Sequence, residues 1–192
     1  MSTTQPIKDT KELEKLENYY LKTEPNLRNY ALIIAGLNTA LRISDTVSLR
    51  WRDVYDFKNE RFFSHIIIRE KKTKKETKIA INESLKNALE LYKASLKKLK
   101  PDNFVFHGRQ VYVPLSRAQA YRIIHKVGEE LDFSQPISCH SLRKTFGYYA
   151  LNSGTNPSVL MVIFNHSSFN ITKRYLGIEQ EDKDEVFLNI NL

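Results

Sequence analysis

The chain has 192 residues, 41% hydrophobic and 27% charged, the balance of one globular domain with a sizeable core. Lys and Arg number 30 against 22 Asp and Glu, a formal charge of +8, so an acidic polymer or surface suits it as a partner. A single cysteine, Cys139, excludes an internal disulfide framework, no Cys/His cluster has zinc-site spacing, and no run of about 18 apolar residues could span a bilayer. The expectation is a reducing, intracellular setting, with no metal and no membrane partner.

Glu12 to Leu21 reads as a short charged helix, punctuated by Pro25-Asn26. Leu27, Tyr30, Ala31, Ile34, Ala35 and Leu37 then recur at helical spacing and predict the first core helix. Ala40-Leu41-Arg42 leads into Ser44-Asp45, an N-cap and first-turn acid for a short helix reaching Leu49, with Trp51 on its apolar side. Phe62 to Ile68 is aromatic and β-branched, a lysine-rich stretch follows, and Lys78-Ile79-Ala80-Ile81 alternates again, which predicts a β-hairpin with a basic tip. Leu85, Leu89, Tyr92, Leu96 and Leu99 predict an amphipathic helix stopping at Pro101-Asp102. Ser116 and Gln119 form a capping-box pattern before a helix with Ala120, Ile124, Val127 and Leu131 inward.

The rest reads as largely helical, broken at Gln135-Pro136, Asn152 to Pro157 and Asn165 to Asn170, before an acidic stretch and the apolar tail Val186 to Leu192. No repeat, low-complexity tract or linker divides the chain. The predicted fold is α+β, mainly helical, with a small antiparallel hairpin sheet, and residues 1–192 form a single domain.

In a helix starting at Cys139, His140, Arg143 and Gly147 share one face, while Leu142, Phe146 and Tyr149 lie opposite, toward a core. A cation and a titratable group near the positive helix end suit a phosphate. Taken alone, the segment is better explained as a partly exposed helix with incidental His and Arg. Asn156-Pro157 caps another helix, with Leu160, Ile163 and Phe164 core-like, that ends in Asn165-His166-Ser167-Ser168. Tyr175 follows, beside Lys173 and Arg174.

In their order and separations, Ala40 to Asp45 with Leu49-Arg50-Trp51, the His140-Ser141-Leu142-Arg143 box, Phe164 to Ser168 and Tyr175 resemble the tyrosine recombinases, or phage integrases. The stretch Lys72 to Ile81 resembles that family's lysine-bearing hairpin, with a second basic residue three positions after the lysine and an aliphatic one seven after. This register selects Lys72, with Lys71, Lys74 and Lys75 as competitors. Asn165 stands where the family motif usually has glycine. The resemblance covers the catalytic domain from about Lys11 onward; the N-terminal core-binding domain that completes a clamp on DNA is expected to be absent, in a naturally minimal integrase or a fragment of a longer one.

The resemblance implies cofactor-free DNA breaking and rejoining by Arg42, Lys72, His140, Arg143, His166 and the nucleophile Tyr175, with Asp45 orienting Arg42. Lys71, Lys74, Lys75, Lys144 and Lys173 are expected to contact double-stranded DNA. Self-association in a tetrameric synapse through the C-terminal tail, a helper protein that supplies the missing clamp, a mobile-element context and a cytoplasmic, nucleoid-associated setting are further expectations. Two other readings stay open, a noncatalytic DNA-binding or regulatory protein on the same fold and a type IB topoisomerase-like relaxing enzyme.

Overall fold

The computed structural model describes residues 4–176, together with 184 and 187–190. Helix α1 (Thr10–Asn18) starts on an Asp9 cap and runs into a π-helical turn, Tyr19–Thr23, whose Tyr19 and Tyr20 are buried. Helix α2 (Leu27–Asn38), capped by the Asn26 side chain, carries a nearly unbroken buried run from Ala31 to Leu37 and is the central core helix. Two one-turn helices follow, α3 (Ile43–Thr46) and α4 (Trp51–Val54). The residue that begins α3 is Arg42, so Ser44 lies inside the turn rather than capping it.

The predicted hairpin divides in two. Phe62 belongs to a two-residue ribbon of β1 (Tyr55–Asp56) with β2 (Arg61–Phe62), while β3 (His65–Arg69) pairs antiparallel with β4 (Glu76–Ala80), Ile68 opposite Thr77. The basic residues 71–75 form the turn between β3 and β4, as the composition predicts. Helix α5 (Glu83–Ala94) ends about two turns before Pro101, and Leu96 and Leu99 pack on the core from the chain that follows it. Their spacing continues the helical pattern because both contact the same apolar surface, so periodicity alone overextends the helix.

Helix α6 (Arg117–Glu130) has the Ser116/Gln119 capping box. Helix α7 (Cys139–Asn152) is capped by Ser138, and α8 (Pro157–Ile163) by Asn156 with proline in its first turn. Helix α9 (Phe169–Leu176) carries Tyr175. The tail expected to dock on a neighbour, Val186 to Leu192, lies partly outside the described residues; its Phe187, Leu188 and Ile190 are exposed. No helix among the described residues is long and apolar enough to cross a membrane.

Three apolar clusters meet along α2 and α7. One gathers α2, α5, Trp51 and Phe106; a second gathers Leu16, Tyr19, Ile33, Ile124 and Leu142; a small third, Ala40, Leu160, Phe164 and Leu176, underlies the C-terminal helices. Helix α7 is therefore enclosed on more than one face, with Ser141 to Thr145 all buried. Its close seat on α2 depends on Gly36, where a Cβ would come 2.5 Å from Leu142 Cδ1. Gly36→Ala is expected to cost about 1–3 kcal/mol through overpacking, more than the helix propensity it gains. An unchanged urea midpoint would refute this account of the contact.

Candidate active site

Arg42, Lys71, Lys72, Arg117, His140, Asn165, His166 and Tyr175 line one open cleft of about 900 Å³. They arrive from the start of α3, the hairpin turn, the N-termini of α6 and α7, the end of α8, and α9. Arg143 lies beneath this surface, 2% exposed, with its guanidinium carbon 5.8 Å from the Tyr175 ring centroid and 4.9 Å from that of Phe164. Its Nη2 donates to the Phe164 carbonyl at 2.8 Å and its Nη1 to the Ala40 carbonyl, while buried Nε has no partner. Burial, followed by the nearby Arg42 charge, pulls its pKa down to about 10 despite the opposing influence of Tyr175.

Both carbonyls are aimed by left-handed backbone. Ala40 has φ 54° and Asn165, directly after Phe164, has φ 51°. Asn165 is the residue just past the end of α8, where Asn165 N–H donates to Val162 and His166 N–H to Met161, the paired bonds of a Schellman ending. Glycine is usual at such a position, and asparagine is among the residues that tolerate it.

Tyr175 is docked in the cleft. Its hydroxyl lies 3.0 Å from His140 Nδ1, and its ring centroid lies 4.9 Å from that of His166. His166 Nδ1 is 3.0 Å from the hydroxyl of buried Thr172, which leaves Nε2 as its other polar atom. Both imidazoles titrate below the ordinary range. Burial and then Arg143, Lys144, Arg42 and Lys72 lower His140, while burial and then Arg143, Arg42 and Lys72 push His166 down to about 4. Arg42, Lys72 and Arg143 thus converge closely enough for all three charges to act on both rings. A neutral His140 with its proton on Nε2 accepts the tyrosine hydrogen at Nδ1.

Two expectations need correction. Asp45 does not bond Arg42; its Oδ1 accepts the Lys71 backbone N–H at 2.9 Å and its Oδ2 is buried without a partner. The carboxylate on Arg42 is Glu70, at 2.5 Å from Nη1, because the short α3 turn points Asp45 inward while β3 delivers Glu70 from across the cleft. Lys144 is 7% exposed, with its Nζ bonded to the Thr4 carbonyl and 5.8 Å from the Tyr175 ring centroid, since α7 is enclosed by neighbouring helices. It has no exposed face to present to DNA.

Lys74 and Lys75 are exposed but do not line the cleft, whereas Lys71 and Lys72 do; Lys173 is half-buried on α9. Cys139 is half-buried, and burial raises its thiol to about 11. Among the described residues, no three His, Cys, Asp or Glu side chains gather as metal ligands.

The sequence reading missed Glu70, Thr172 and Arg117. Glu70 left a signal, since Ile66, Ile68 and Glu70 occupy alternate positions and Ile66 and Glu70 are both 1% exposed. An acid amid bases on the inward parity of a strand calls for a buried partner.

The fold has counterparts among solved structures. It overlays XerA recombinase with a TM-score of 0.79 at 19% identity, covering 100% of this chain and 66% of that one. It also overlays XerH site-specific recombinase, bound to palindromic difH substrate in a post-cleavage complex, with a TM-score of 0.76 at 19% identity, covering 97% and 53%. The fold is that of a tyrosine recombinase catalytic domain.

Residues 8–181 match the Phage integrase family, and the chain belongs to it. It is 39% identical over 181 residues to the probable integrase/recombinase YoeC of Bacillus subtilis, covering 94% of this chain and 93% of that protein. Against a tyrosine recombinase of Pseudothermotoga lettingae it is 28% identical over 172 residues, covering 90% of this chain and 56% of that protein. The chain therefore spans nearly all of YoeC but little more than half of the latter relative.

Both histidines have folded-state pKa values below their unfolded value near 6.5, so the folded protein binds fewer protons in that range. Their contribution to stability is complete above about pH 6.5 and is lost as pH falls below it, for His166 down to about pH 4. In an NMR titration of the free protein, His166 is expected to titrate near pH 4, and the urea midpoint to fall between pH 7 and 5 by less in His166→Gln. A His166 midpoint near 6.5 would contradict this electrostatic picture.

Proposed function

We propose that the chain cleaves and rejoins double-stranded DNA as a site-specific recombinase of a mobile element, through a 3′-phosphotyrosyl intermediate and without a cofactor. The observation that carries the reading is Tyr175 Oη, 3.0 Å from His140 Nδ1 and held over Arg143 in a cleft that Arg42 and Lys72 also reach. Arg143 retains an unpartnered buried donor, a group that a phosphate oxygen can satisfy.

In the forward step the Tyr175 oxygen attacks the scissile phosphorus as His140 takes its proton, and the bond from phosphorus to the 5′-oxygen breaks as Lys72 protonates that oxygen. Negative charge on the nonbridging oxygens meets Arg42 and Arg143, with a hydrogen bond from neutral His166. Rejoining runs the same transfers backward, with the 5′-hydroxyl attacking the phosphotyrosine. The guanidiniums supply fixed positive charge where charge develops, which supports a metal-independent reaction.

The +8 charge and the lysine-rich turn support binding through counterion release, so affinity for duplex DNA is expected to fall steeply from 50 to 200 mM salt. Flat affinity over that range, measured by fluorescence anisotropy, would count against this interface.

Nicked suicide duplexes test the chemistry. The wild-type protein should form a covalent adduct on denaturing gels, in EDTA as in Mg²⁺, and Tyr175→Phe should form none while binding DNA normally. A 5′-bridging sulfur at the scissile phosphate makes a leaving group that needs no proton, so it should restore cleavage by Lys72→Ala but not by Arg143→Ala. An adduct that persists in Tyr175→Phe, or no sulfur rescue of Lys72→Ala, would overturn the corresponding assignment.

A further inference from the structure

Glu70, buried beneath the cleft, is a heavily committed carboxylate. It is 1% exposed, and its two oxygens accept from Arg42 Nη1 at 2.5 Å, Asn165 Nδ2 at 2.6 Å, and the Thr73 and Thr77 hydroxyls at 3.1 Å each. Burial alone would raise its pKa, but the bonds from Asn165, Thr73 and Thr77 and the Arg42 charge outweigh it and lower the net value, so the carboxylate stays ionised at neutral pH. Its main chain also closes the turn, with Glu70 N–H donating to Lys75 and the Glu70 carbonyl accepting from Lys74, each at 2.9 Å.

These bonds join three pieces of the site that are remote in sequence. Arg42 begins α3, Lys72 lies between the Asp45-held Lys71 amide and the Glu70-held Thr73 hydroxyl, and Asn165 immediately precedes His166. Asn165 occupies a left-handed position that glycine would adopt with less strain. Its side-chain bond to a buried ionised acceptor is the compensation that glycine cannot provide.

We propose that Asn165 and Glu70 form a positioning pair, a single amide-to-carboxylate contact that holds the His166 corner, Arg42 and the Lys72 turn at fixed spacing before DNA binds. The pair acts through Arg42, His166 and the Lys72 turn, which it holds in place, and not as a reacting group itself. This inference rests on the recombinase reading above. It gives Asn165 a role distinct from merely tolerating the backbone, and makes Glu70 the countercharge expected of Asp45.

Asn165→Gly keeps the left-handed turn and removes only the amide, so it should fold at least as well as the wild type. On the suicide duplex its single-turnover cleavage rate is expected to fall about tenfold with DNA affinity within about twofold, the pattern of lost alignment rather than lost binding. Glu70→Ala, which removes both acceptor oxygens, should lose more, and adding Asn165→Gly to it should cost little further, because both substitutions break the same contact. Wild-type cleavage by Asn165→Gly, or losses that multiply in the double variant, would overturn the pair.

The Tyr175→Phe control separates the two levels. Wild-type adduct with none from Tyr175→Phe, alongside an undiminished Asn165→Gly, sinks the pair and spares the recombinase reading. Hydrogen exchange needs no DNA and covers the case in which the wild type forms no adduct and the recombinase reading fails. Protection of the residue 70 and Lys74 amides should drop in both Asn165→Gly and Glu70→Ala, and unchanged protection in both rejects the pair independently.

Discussion

A buried guanidinium governs the arrangement of this site. Taking a charge out of water carries an effective penalty of several kcal/mol, which close polar partners must offset. Arg143 meets two backbone carbonyls, those of Ala40 and Phe164, and leaves Nε unmatched. The carbonyls belong to corners on either side of α7, so one side chain fixes both the entry to Arg42 and the exit from α8. Ala40 and Asn165 take left-handed backbone at those corners, strain of the kind that persists where surrounding packing over-determines it. Phe164 and Leu176 complete the seat from below, and Gly147 leaves them room, since a Cβ there would lie 2.7 Å from the Phe164 ring.

The same charge sets the protonation of its neighbours. Arg143, Arg42 and Lys72 all disfavour a second positive charge on His140 or His166, and burial acts in the same direction. A cleft arranged for an anion thereby keeps its imidazoles neutral, one able to take a proton and the other to donate a hydrogen bond without carrying charge. Glu70 and Asp45 counter the cations from below without lining the cleft, so the surface facing solvent remains positive.

What was legible in the sequence follows from how local each feature is. Asn26, Ser116 and Asn156 cap helices through residues two or three positions away, and these starts were readable from the chain. The motif residues were recognisable because each lies at an element end with a fixed local pattern. Features decided at long range were not. Glu70 reaches Arg42 across 28 positions and Asn165 across 95, and nothing adjacent to Asp45 signals that a different acid holds the arginine. Lys144 reads as a surface base on a two-faced helix, yet neighbours on several sides enclose α7, and a two-sided wheel does not apply to a buried central helix.

The hairpin lysines show where the two kinds of information meet. Four bases within five residues differ little in sequence, and a turn's length decides which of them faces inward. In the folded chain Lys71 and Lys72 line the cleft while Lys74, at φ 59°, sits where the backbone reverses. Of the pair, the Lys71 amide is held by Asp45, and Lys72 is the one whose charge depresses both histidines. Electrostatic reach thus favours the lysine that the resemblance to the family's hairpin selects, and the two arguments are independent, since one counts residues from Lys72 to Lys75 and Ile79 and the other depends on distance through the cleft. The turn gains this definition from Glu70 and Asp45, two acids buried beneath a basic surface, so the placement of a cation here depends on carboxylates that solvent barely touches.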